Sequence, residues 1–256
     1  MSGPIALPYV QGTWLFASRG MTGATGNWYC GLHEVNEMAF VLHLLRADDH
    51  FVDVGANVGS YTVLAGGVVK ARVTAVEPIP ATFAHLRRNV MLNGMSERTH
   101  CFQGGLSDKT GSLRFTFNLD TVNHVLSDGE DLPFIEVPVT RLDDLVSQDV
   151  PTLIKIDVEG HELAVLKGAQ AILANSTLLA VIMETNGSGS RYGVLDDELV
   201  NLMNDYGFNA FVYDPFQRRL LDVPRQGGNT VFIRDKAAVE LRVRTAPKFR
   251  LVNGEI

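Results

Sequence analysis

Four side chains that can bind or transfer a proton lie close together in the middle of the chain: Asp157, Glu159, His161 and Glu162. Asp157 ends the apolar run Thr152–Asp157, and the other three follow it, so they belong to a turn between a buried strand and a helix. A carboxylate or an imidazole at such a turn can remove the proton of a reacting hydroxyl group. We predict this role for Asp157, Glu159 and His161. Glu162 is expected to brace the helix, and Lys155 to pair with one of the acids.

A glycine turn, Asp53-Val-Gly-Ala-Asn-Val-Gly59, is the second candidate site, between a buried strand and a helix. Such a turn brings the backbone and the helix N–H groups close to a ligand. It departs from the dinucleotide pattern G-x-G-x-x-G, because Asn57 replaces the middle glycine. Asp53 would repel a pyrophosphate and suits an ammonium group, such as that of S-adenosylmethionine. Glu77, at the end of the next strand, can accept both ribose hydroxyls of NAD or of S-adenosylmethionine.

The elements around these sites alternate between strands and helices. The predicted strands are His50–Gly55, Arg72–Glu77, His100–Gln103, Thr152–Asp157, Leu178–Met183, Ala210–Tyr213 and Thr230–Arg234. The predicted helices are Ser60–Val69, one from Pro80 to Asn93, one marked by Leu163, Leu166, Ala169, Ile172 and Leu173, and Asp196–Tyr206. This order predicts an α/β fold with a mostly parallel sheet covered by helices on both faces. The last two strands lack a helix between them and are expected to form an antiparallel hairpin at one edge.

The chain divides into three predicted parts. Residues 1–48 are an N-terminal cap, 49–235 the main domain and 236–256 a C-terminal tail. Two alternating runs, Leu113–Phe117 and Phe134–Val139, predict an antiparallel pair in an inserted segment at about 111–140.

Composition limits the classes of function. The 256 residues are 46% hydrophobic and 20% charged, which indicates a globular protein rather than a disordered one. The net charge of −7 and the lack of a Lys/Arg run argue against nucleic acid or an anionic membrane as a partner. Two cysteines are too few for a disulfide framework, and no apolar run is long enough to span a bilayer. We therefore expect a cytoplasmic protein.

Several segments together resemble the FkbM family of S-adenosylmethionine-dependent methyltransferases. They are Asp53–Thr62, Glu77-Pro78, Leu106-Ser-Asp108, Arg141-Leu-Asp-Asp-Leu145, Leu153–Glu162, Ala164–Ala169 and Asn229–Arg234. The Lys-Ile-Asp-Val-Glu-Gly sequence that begins at Lys155 is the most specific of them. The resemblance extends from about Phe51 to Arg234.

The resemblance implies a Rossmann-like class I methyltransferase fold with a seven-stranded sheet and S-adenosylmethionine at the carboxyl ends of the strands. S-adenosylhomocysteine would be the product. The implied cofactor-binding residues are Asp53, Gly55, Asn57, Gly59, Tyr61, Glu77, Pro78, Leu106, Ser107 and Asp157. Asp53 would hold the ammonium group and Glu77 the ribose, while Leu106 and Ser107 would flank the adenine. Gly104 and Gly105 before that leucine depart from the family pattern.

Some class I O-methyltransferases bind a divalent cation through an aspartate after the fourth strand and an acid and an amide after the fifth. Asp157, Glu184 and Asn186 would occupy comparable positions, but we predict that they line a polar cleft without a metal. Asn123 and His124 in the insertion are more typical of a surface turn than of acceptor binding. The aromatic residues Trp14, Trp28 and Tyr29 of the cap are expected to pack rather than to bind.

The resulting hypothesis is O-methylation of a hydroxyl group on a small molecule, such as a sugar or a secondary metabolite. A homo-oligomer is compatible with this hypothesis. Two alternatives remain at this point: a nicotinamide-dependent oxidoreductase, disfavoured by Asn57, and an S-adenosylmethionine-binding protein that has lost catalysis. The intact set of Asp53, Glu77 and Asp157 argues against the latter.

Overall fold

The computed structural model describes residues 4–18, 21–222 and 228–256. Its strands are β1 (Ile5–Pro8), β2 (Trp14–Ala17), β3 (His50–Val54), β4 (Arg72–Glu77), β5 (Thr99–Gln103), β6 (Gly105–Leu106), β7 (Gly111–Thr116), β8 (Phe134–Thr140), β9 (Leu153–Ile156), β10 (Ala180–Glu184), β11 (Asn209–Asp214), β12 (Arg219–Leu221), β13 (Asn229–Ile233), β14 (Arg250–Leu251) and β15 (Gly254–Glu255). Its helices are α1 (Thr22–Cys30), α2 (Val35–Leu44), α3 (Ser60–Thr62, continued as a π-helix over Val63–Val69), α4 (Pro80–Leu92), α5 (Leu142–Leu145), α6 (Glu162–Lys167), α7 (Gln170–Ala174), α8 (Asp196–Asp205) and α9 (Lys236–Thr245). Short 3₁₀ turns cover Asp120–Val122 and Ser188–Tyr192.

The central sheet has the strand order β12-β11-β13-β10-β9-β3-β4-β5. The pairs from β10 to β5 are parallel, whereas β13 is antiparallel to both β10 and β11. The predicted α/β class with a mostly parallel sheet is confirmed, and β11 and β13 do pair antiparallel. The position predicted for this pair needs a correction: β13 lies inside the sheet, and β12, which the sequence analysis missed, extends the sheet beyond β11 as an eighth strand.

The central strands are mostly apolar because helices cover both faces of the sheet. Successive residues of β3 enter different cores: Phe51 packs into one apolar cluster, and Val52 and Val54 pack into the other. Strand β10 does the same, since Ile182 joins the first cluster and Val181 the second. All the sheet's catalytic and binding candidates therefore lie at strand ends, where this apolar packing stops.

The helical pattern after β9 predicts one helix, but the structure has two, α6 and α7. Gly168 separates them. A Cβ atom at Gly168 would lie 2.1 Å from the carbonyl oxygen of Ser107, so the chain passes too close to its neighbour for a larger residue. The helix predicted from Pro80 is confirmed as α4.

The two strands of the insertion, β7 and β8, form a small three-stranded sheet with β6, in the order β6-β8-β7. Its antiparallel pair β7–β8 confirms the prediction. Phe115 on β7 packs with Val137, Val139 and with Ile79, the residue just after β4 and Pro78. This contact joins the insertion to the carboxyl edge of the central sheet.

The N-terminal residues pack on the sheet rather than beside it. Helix α2 buries Phe40 and Leu42 in the same cluster as Phe51, together with Val239 and Val243 of α9. The three-part division of the chain stays a prediction. Among the residues that the structure describes, no helix is long and apolar enough to cross a membrane.

Candidate active site

The glycine turn lies directly against the end of β9. Gly55 has a φ of +77°, and a Cβ atom there would lie 1.8 Å from the carbonyl oxygen of Asp157. Both the conformation and the contact exclude a side chain. Asn57 is also left-handed, with a φ of +50°, and this turns its backbone N–H toward β4. The turn therefore joins the ends of three neighbouring strands.

Glu77, the last residue of β4, is buried beside this turn. Its Oε2 accepts the N–H of Asn57 at 3.0 Å, and its Oε1 accepts the N–H of Ile79 at 2.9 Å. Burial raises the pKa of Glu77 to about 7, although both hydrogen bonds act in the opposite direction. The carboxylate is thus held in one orientation and lines a cavity of about 470 Å³.

Asp53, near the end of β3, lines the same cavity and is 1% exposed. Its Oδ2 accepts the hydroxyl of Thr62 at 2.6 Å. Its Oδ1 is buried without a hydrogen-bond partner among the described residues. Burial raises the pKa of Asp53, and the nearby Lys155 ammonium partly offsets this effect. An unpartnered acceptor of this kind requires a donor from a ligand or from solvent.

The pair Lys155–Asp157 confirms that the buried lysine binds a neighbouring acid, with 2.7 Å between Nζ and Oδ2. Burial lowers the pKa of Lys155, but Asp157, Glu34 and Asp53 together raise it above its usual value. The ammonium also lies 4.8 Å from the ring centre of Tyr61. The lysine is therefore a fixed positive charge beneath the cavity.

Glu34 is a residue of this site that the sequence analysis missed. Its Oε2 accepts the Tyr61 hydroxyl at 2.8 Å, and its Oε1 accepts the Asn229 side-chain amide at 2.8 Å. With His33 it lines the cavity from the N-terminal segment. No local signal could have found it, because Glu34 simply precedes an ordinary amphipathic helix.

Asp157 and Glu159 both line the cavity, as does Glu184 at the end of β10. One carboxylate oxygen from each of the three lies within 4.8 Å of the others. Burial and the charge of Asp157 raise the pKa of Glu159 to about 7 and that of Glu184 to about 8. The predicted absence of a metal stays a prediction, since oxygen atoms this close can share a proton or a cation.

His161 is directed away from this group. Its Nε2 lies 3.2 Å from the Ser107 hydroxyl, and its ring packs edge-on against Tyr192. Burial lowers its pKa. His161 is not among the residues that line the cavity, so its position gives no support to the prediction that it removes a proton.

Glu162 holds the backbone of the turn that follows β9. Its Oε1 accepts the backbone N–H groups of Val158 and Gly160 at 3.2 and 3.1 Å. These bonds match the bracing role predicted for this side chain. Gly160 has a φ of +104°, which reverses the chain between Glu159 and His161 and sends the two side chains in different directions.

The other candidate residues also differ in whether they line the cavity. Tyr61, Pro78 and Asn123 line the cavity, whereas Gly59, Leu106 and Ser107 do not. Leu106 is buried in an apolar cluster instead. The ring of His124 contacts the Val122 carbonyl and Glu130, and Asn186 is likewise outside the lining. The aromatic residues Trp14, Trp28 and Tyr29 do not line the cavity, and all three are exposed, so the prediction that they pack as buried residues is wrong.

Comparisons with known proteins agree with this architecture. Residues 53–210 match the model of the methyltransferase FkbM domain. Over 148 residues the chain is 32% identical to Methyltransferase 1 of Beauveria bassiana, covering 47% of this chain and 59% of that one. Over 154 residues it is 30% identical to the hexuronic acid methyltransferase AglP of Haloferax volcanii, covering 58% of this chain and 61% of that one. The alignments thus span about three fifths of these relatives.

Among solved structures, the precorrin-6y C5,15-methyltransferase of Geobacter metallireducens matches with a TM-score of 0.45 and 14% identity, covering 78% of this chain and 87% of that chain. The family match takes in the glycine turn, Glu77, the Lys155–Asp157 pair and Glu184, which line the cavity described above. The chain belongs to the FkbM methyltransferase family.

Proposed function

We propose that this protein transfers the methyl group of S-adenosylmethionine to a hydroxyl group of a small molecule, such as a sugar or a secondary metabolite. The observation that carries the proposal is the order of acids along the carboxyl edge of the sheet. Glu184, Asp157, Asp53 and Glu77 follow one another at or near the carboxyl ends of the adjacent strands β10, β9, β3 and β4, and all line one cavity. Acids suited to cofactor binding and acids suited to proton transfer thus share a single space.

The residues present fit the cofactor. The unpartnered Oδ1 of Asp53 suits an ammonium donor, and the fixed carboxylate of Glu77 suits two ribose hydroxyls. Gly55 also lines the cavity, and its lack of a side chain lets the turn lie directly against the end of β9. Ile79 and Phe115 supply apolar surface for the adenine, in place of Leu106 and Ser107.

When bound, S-adenosylmethionine supplies a methyl carbon on a positively charged sulfur, open to in-line attack by oxygen. The chain's own residues then have two tasks. Asp157, fixed by Lys155, orients the acceptor hydroxyl beside the cofactor pocket. A carboxylate of the group Asp157, Glu159 and Glu184 removes the hydroxyl proton as the new bond forms.

The residues that line the cavity, together with the similarity to one relative, support a particular class of acceptor. The similarity to a hexuronic acid methyltransferase supports an acceptor of the sugar type. The carboxylates of Glu34 and Asp157 would repel an acidic group at the reacting end. We therefore infer a neutral polyhydroxyl acceptor rather than a uronic acid.

We further propose a cytoplasmic protein that binds neither nucleic acid nor a membrane. Its net charge of −7 and its free cysteines, Cys30 and Cys101, support this location. Self-association into a homo-oligomer is compatible with the proposal and is measured by light scattering.

Calorimetry with S-adenosylmethionine, S-adenosylhomocysteine and NAD tests the proposed function. We expect the first two ligands to bind and NAD not to bind. Binding of NAD alone would favour the oxidoreductase alternative. An acceptor screen by mass spectrometry, which looks for the mass of one added methylene, then separates an active enzyme from a binding protein without catalysis.

A further inference from the structure

Two neighbouring strands bring three carboxylates together at one point of the cavity. Ile156 and Met183 are paired in register on β9 and β10, so Asp157 and Glu184, the next residues, lie side by side. Glu159 follows at the turn, and its φ of +53° directs the chain back toward the strand ends. The three residues each contribute an oxygen within 4.8 Å of the others.

The positive charges near this group are already engaged. Lys155 donates to Asp157 and lies over the ring of Tyr61. Arg191, on the 3₁₀ turn that faces Glu159, donates to the backbone oxygen of Glu159 at 2.9 Å and lies 3.7 Å from Glu130. Neither cation neutralises Glu184.

The charges around Glu184 mostly oppose its ionised form: Asp157, Glu159 and Glu162 raise its pKa, and Lys155 offsets them only in part. The Oε2 atom of Glu184 is buried and has no hydrogen-bond partner among the described residues. Glu162, the fourth acid nearby, is occupied by the backbone N–H groups of Val158 and Gly160. A buried carboxylate oxygen without a donor is costly when charged, and a proton removes that cost.

We propose that Glu184 carries a proton in the ligand-free protein, releases it when a positively charged sulfonium ligand occupies the cavity, and then accepts the proton of the acceptor hydroxyl. This proposal rests on the proposed function and assigns its proton acceptor. It makes Glu184 a catalytic residue, and it makes Asp157 and Glu159 the groups that set its proton affinity.

The electrostatics support this assignment. The pKa of Glu184 is raised to about 8 by burial first, then by the charges of Asp157, Glu159 and Glu162, and is lowered only in part by Lys155. At neutral pH the side chain is therefore mostly protonated in the ligand-free protein. A positive charge introduced into the cavity favours the ionised form and lowers this pKa.

The reaction balances with this assignment. The acceptor oxygen forms a bond to the methyl carbon, and the electron pair of the carbon–sulfur bond stays on sulfur as a neutral thioether. The pair of the O–H bond stays on oxygen, which becomes an ether oxygen. The proton passes to the carboxylate of Glu184, which is then neutral again, as it is before the ligand binds. Loss of the positive charge from sulfur favours this protonated state.

The test compares S-adenosylmethionine with S-adenosylhomocysteine, which lacks the methyl group and the positive charge on sulfur. Each is titrated into the protein by calorimetry in two buffers of different ionisation enthalpy, which gives the number of protons released. We expect S-adenosylmethionine to release about half a proton more per site near pH 7.5. In Glu184→Gln this difference should fall close to zero, with the affinity for S-adenosylhomocysteine unchanged.

Glu97→Gln is the matched control, since Glu97 is an exposed glutamate outside the cavity lining. It should release protons as the wild type does. A measurement on the wild type alone guards against a variant that does not fold: its preference for S-adenosylmethionine over S-adenosylhomocysteine should increase as the pH rises from about 6 to about 8.

Equal proton release by the two ligands in the wild type, or a full difference retained in Glu184→Gln, would overturn the proposal while leaving the proposed function intact. Binding of Mg²⁺ alone that is lost in Glu184→Gln would assign the three carboxylates to a cation and would also overturn it. Failure of both nucleoside ligands to bind would instead contradict the proposed function.

Discussion

Glu77 and Glu184 occupy corresponding places at two ends of the cavity: each ends a parallel strand of the sheet, and each has a raised pKa. Their partners differ. Two backbone N–H groups hold Glu77, whereas Oε2 of Glu184 is buried with no partner among the described residues. The first carboxylate is fixed in one orientation and suited to binding. The second can take up and release a proton, so the local backbone decides which role a buried strand-end acid can perform.

The largest expected effect is on the proton-transfer side of this comparison. Glu184→Gln should lower kcat by about 10²–10⁴-fold, because base catalysis typically contributes that much. The KM for S-adenosylmethionine should rise only a few-fold, because the variant loses the attraction between the ionised carboxylate and the sulfonium. Initial rates with the acceptor found by mass spectrometry, measured against pH, provide the test. An equal loss in kcat and in cofactor affinity would move Glu184 to the binding side.

The opposite pattern is expected for the binding side. Glu77→Ala should weaken S-adenosylmethionine binding by about 1.5–3 kcal/mol, or about 10–150-fold, because it removes the carboxylate that we propose binds the ribose. Calorimetry measures the dissociation constant directly. An unchanged constant in a folded Glu77→Ala protein would remove this residue from the cofactor site.

The stability of the ligand-free protein should fall as the pH rises from about 6.5 to about 8. Glu77, Glu159 and Glu184 have folded-state pKa values of about 7, 7 and 8, above the ordinary 4.5, so in this window the folded protein binds more protons than the unfolded one. Buried histidines with lowered pKa values, such as His43 at about 4, oppose this slope below about pH 6.5. Thermal unfolding at several pH values checks the sign, and Glu184→Gln should flatten the curve.

A smaller effect is expected from His161→Ala. The imidazole contacts Ser107 and Tyr192 rather than the cavity, so kcat should fall less than about tenfold. The decrease of kcat at low pH, which we call the acidic limb, should be the same as in the wild type. Loss of that limb in the alanine variant would return the role of base to His161.

No effect is expected from a chelator. Activity should survive exhaustive EDTA treatment, since the carboxylate group is proposed to exchange protons rather than to hold a cation. Activity that disappears and is restored by Mg²⁺ would contradict this expectation.

The features that the sequence analysis found are those encoded locally. The turn from Asp53 to Gly59 and the acid at Glu77 each follow an apolar run, and the chemistry of each strand end can be read within a few residues. The fold class follows from the same alternation of apolar runs and helical patterns. The pairing Lys155–Asp157 was also predictable, because residues two apart on a strand point to the same face.

The features that it missed depend on distant contacts or on one backbone angle. Glu34 reaches Tyr61 and Asn229 only through the folded packing of α2 against the sheet. Asp157 and Glu184 were predicted to line one polar cleft, but the addition of Glu159 to this pair was missed, because it depends on the fold of the turn after β9. His161 was assigned to the reacting centre by proximity in sequence, and the left-handed conformation of Gly160 separates it from Glu159.

The two hydrogen bonds of Glu34 limit how the N-terminal segment of this chain can be replaced. Exchange of the first 48 residues for those of a relative would remove the acceptor that positions Tyr61 and Asn229. A chimaera that keeps a glutamate at this point should retain cofactor binding, and one that lacks it should not. The N-terminal segment and the proposed cofactor site are thus linked through the Glu34 carboxylate, and a donor segment must be selected for a carboxylate at this point.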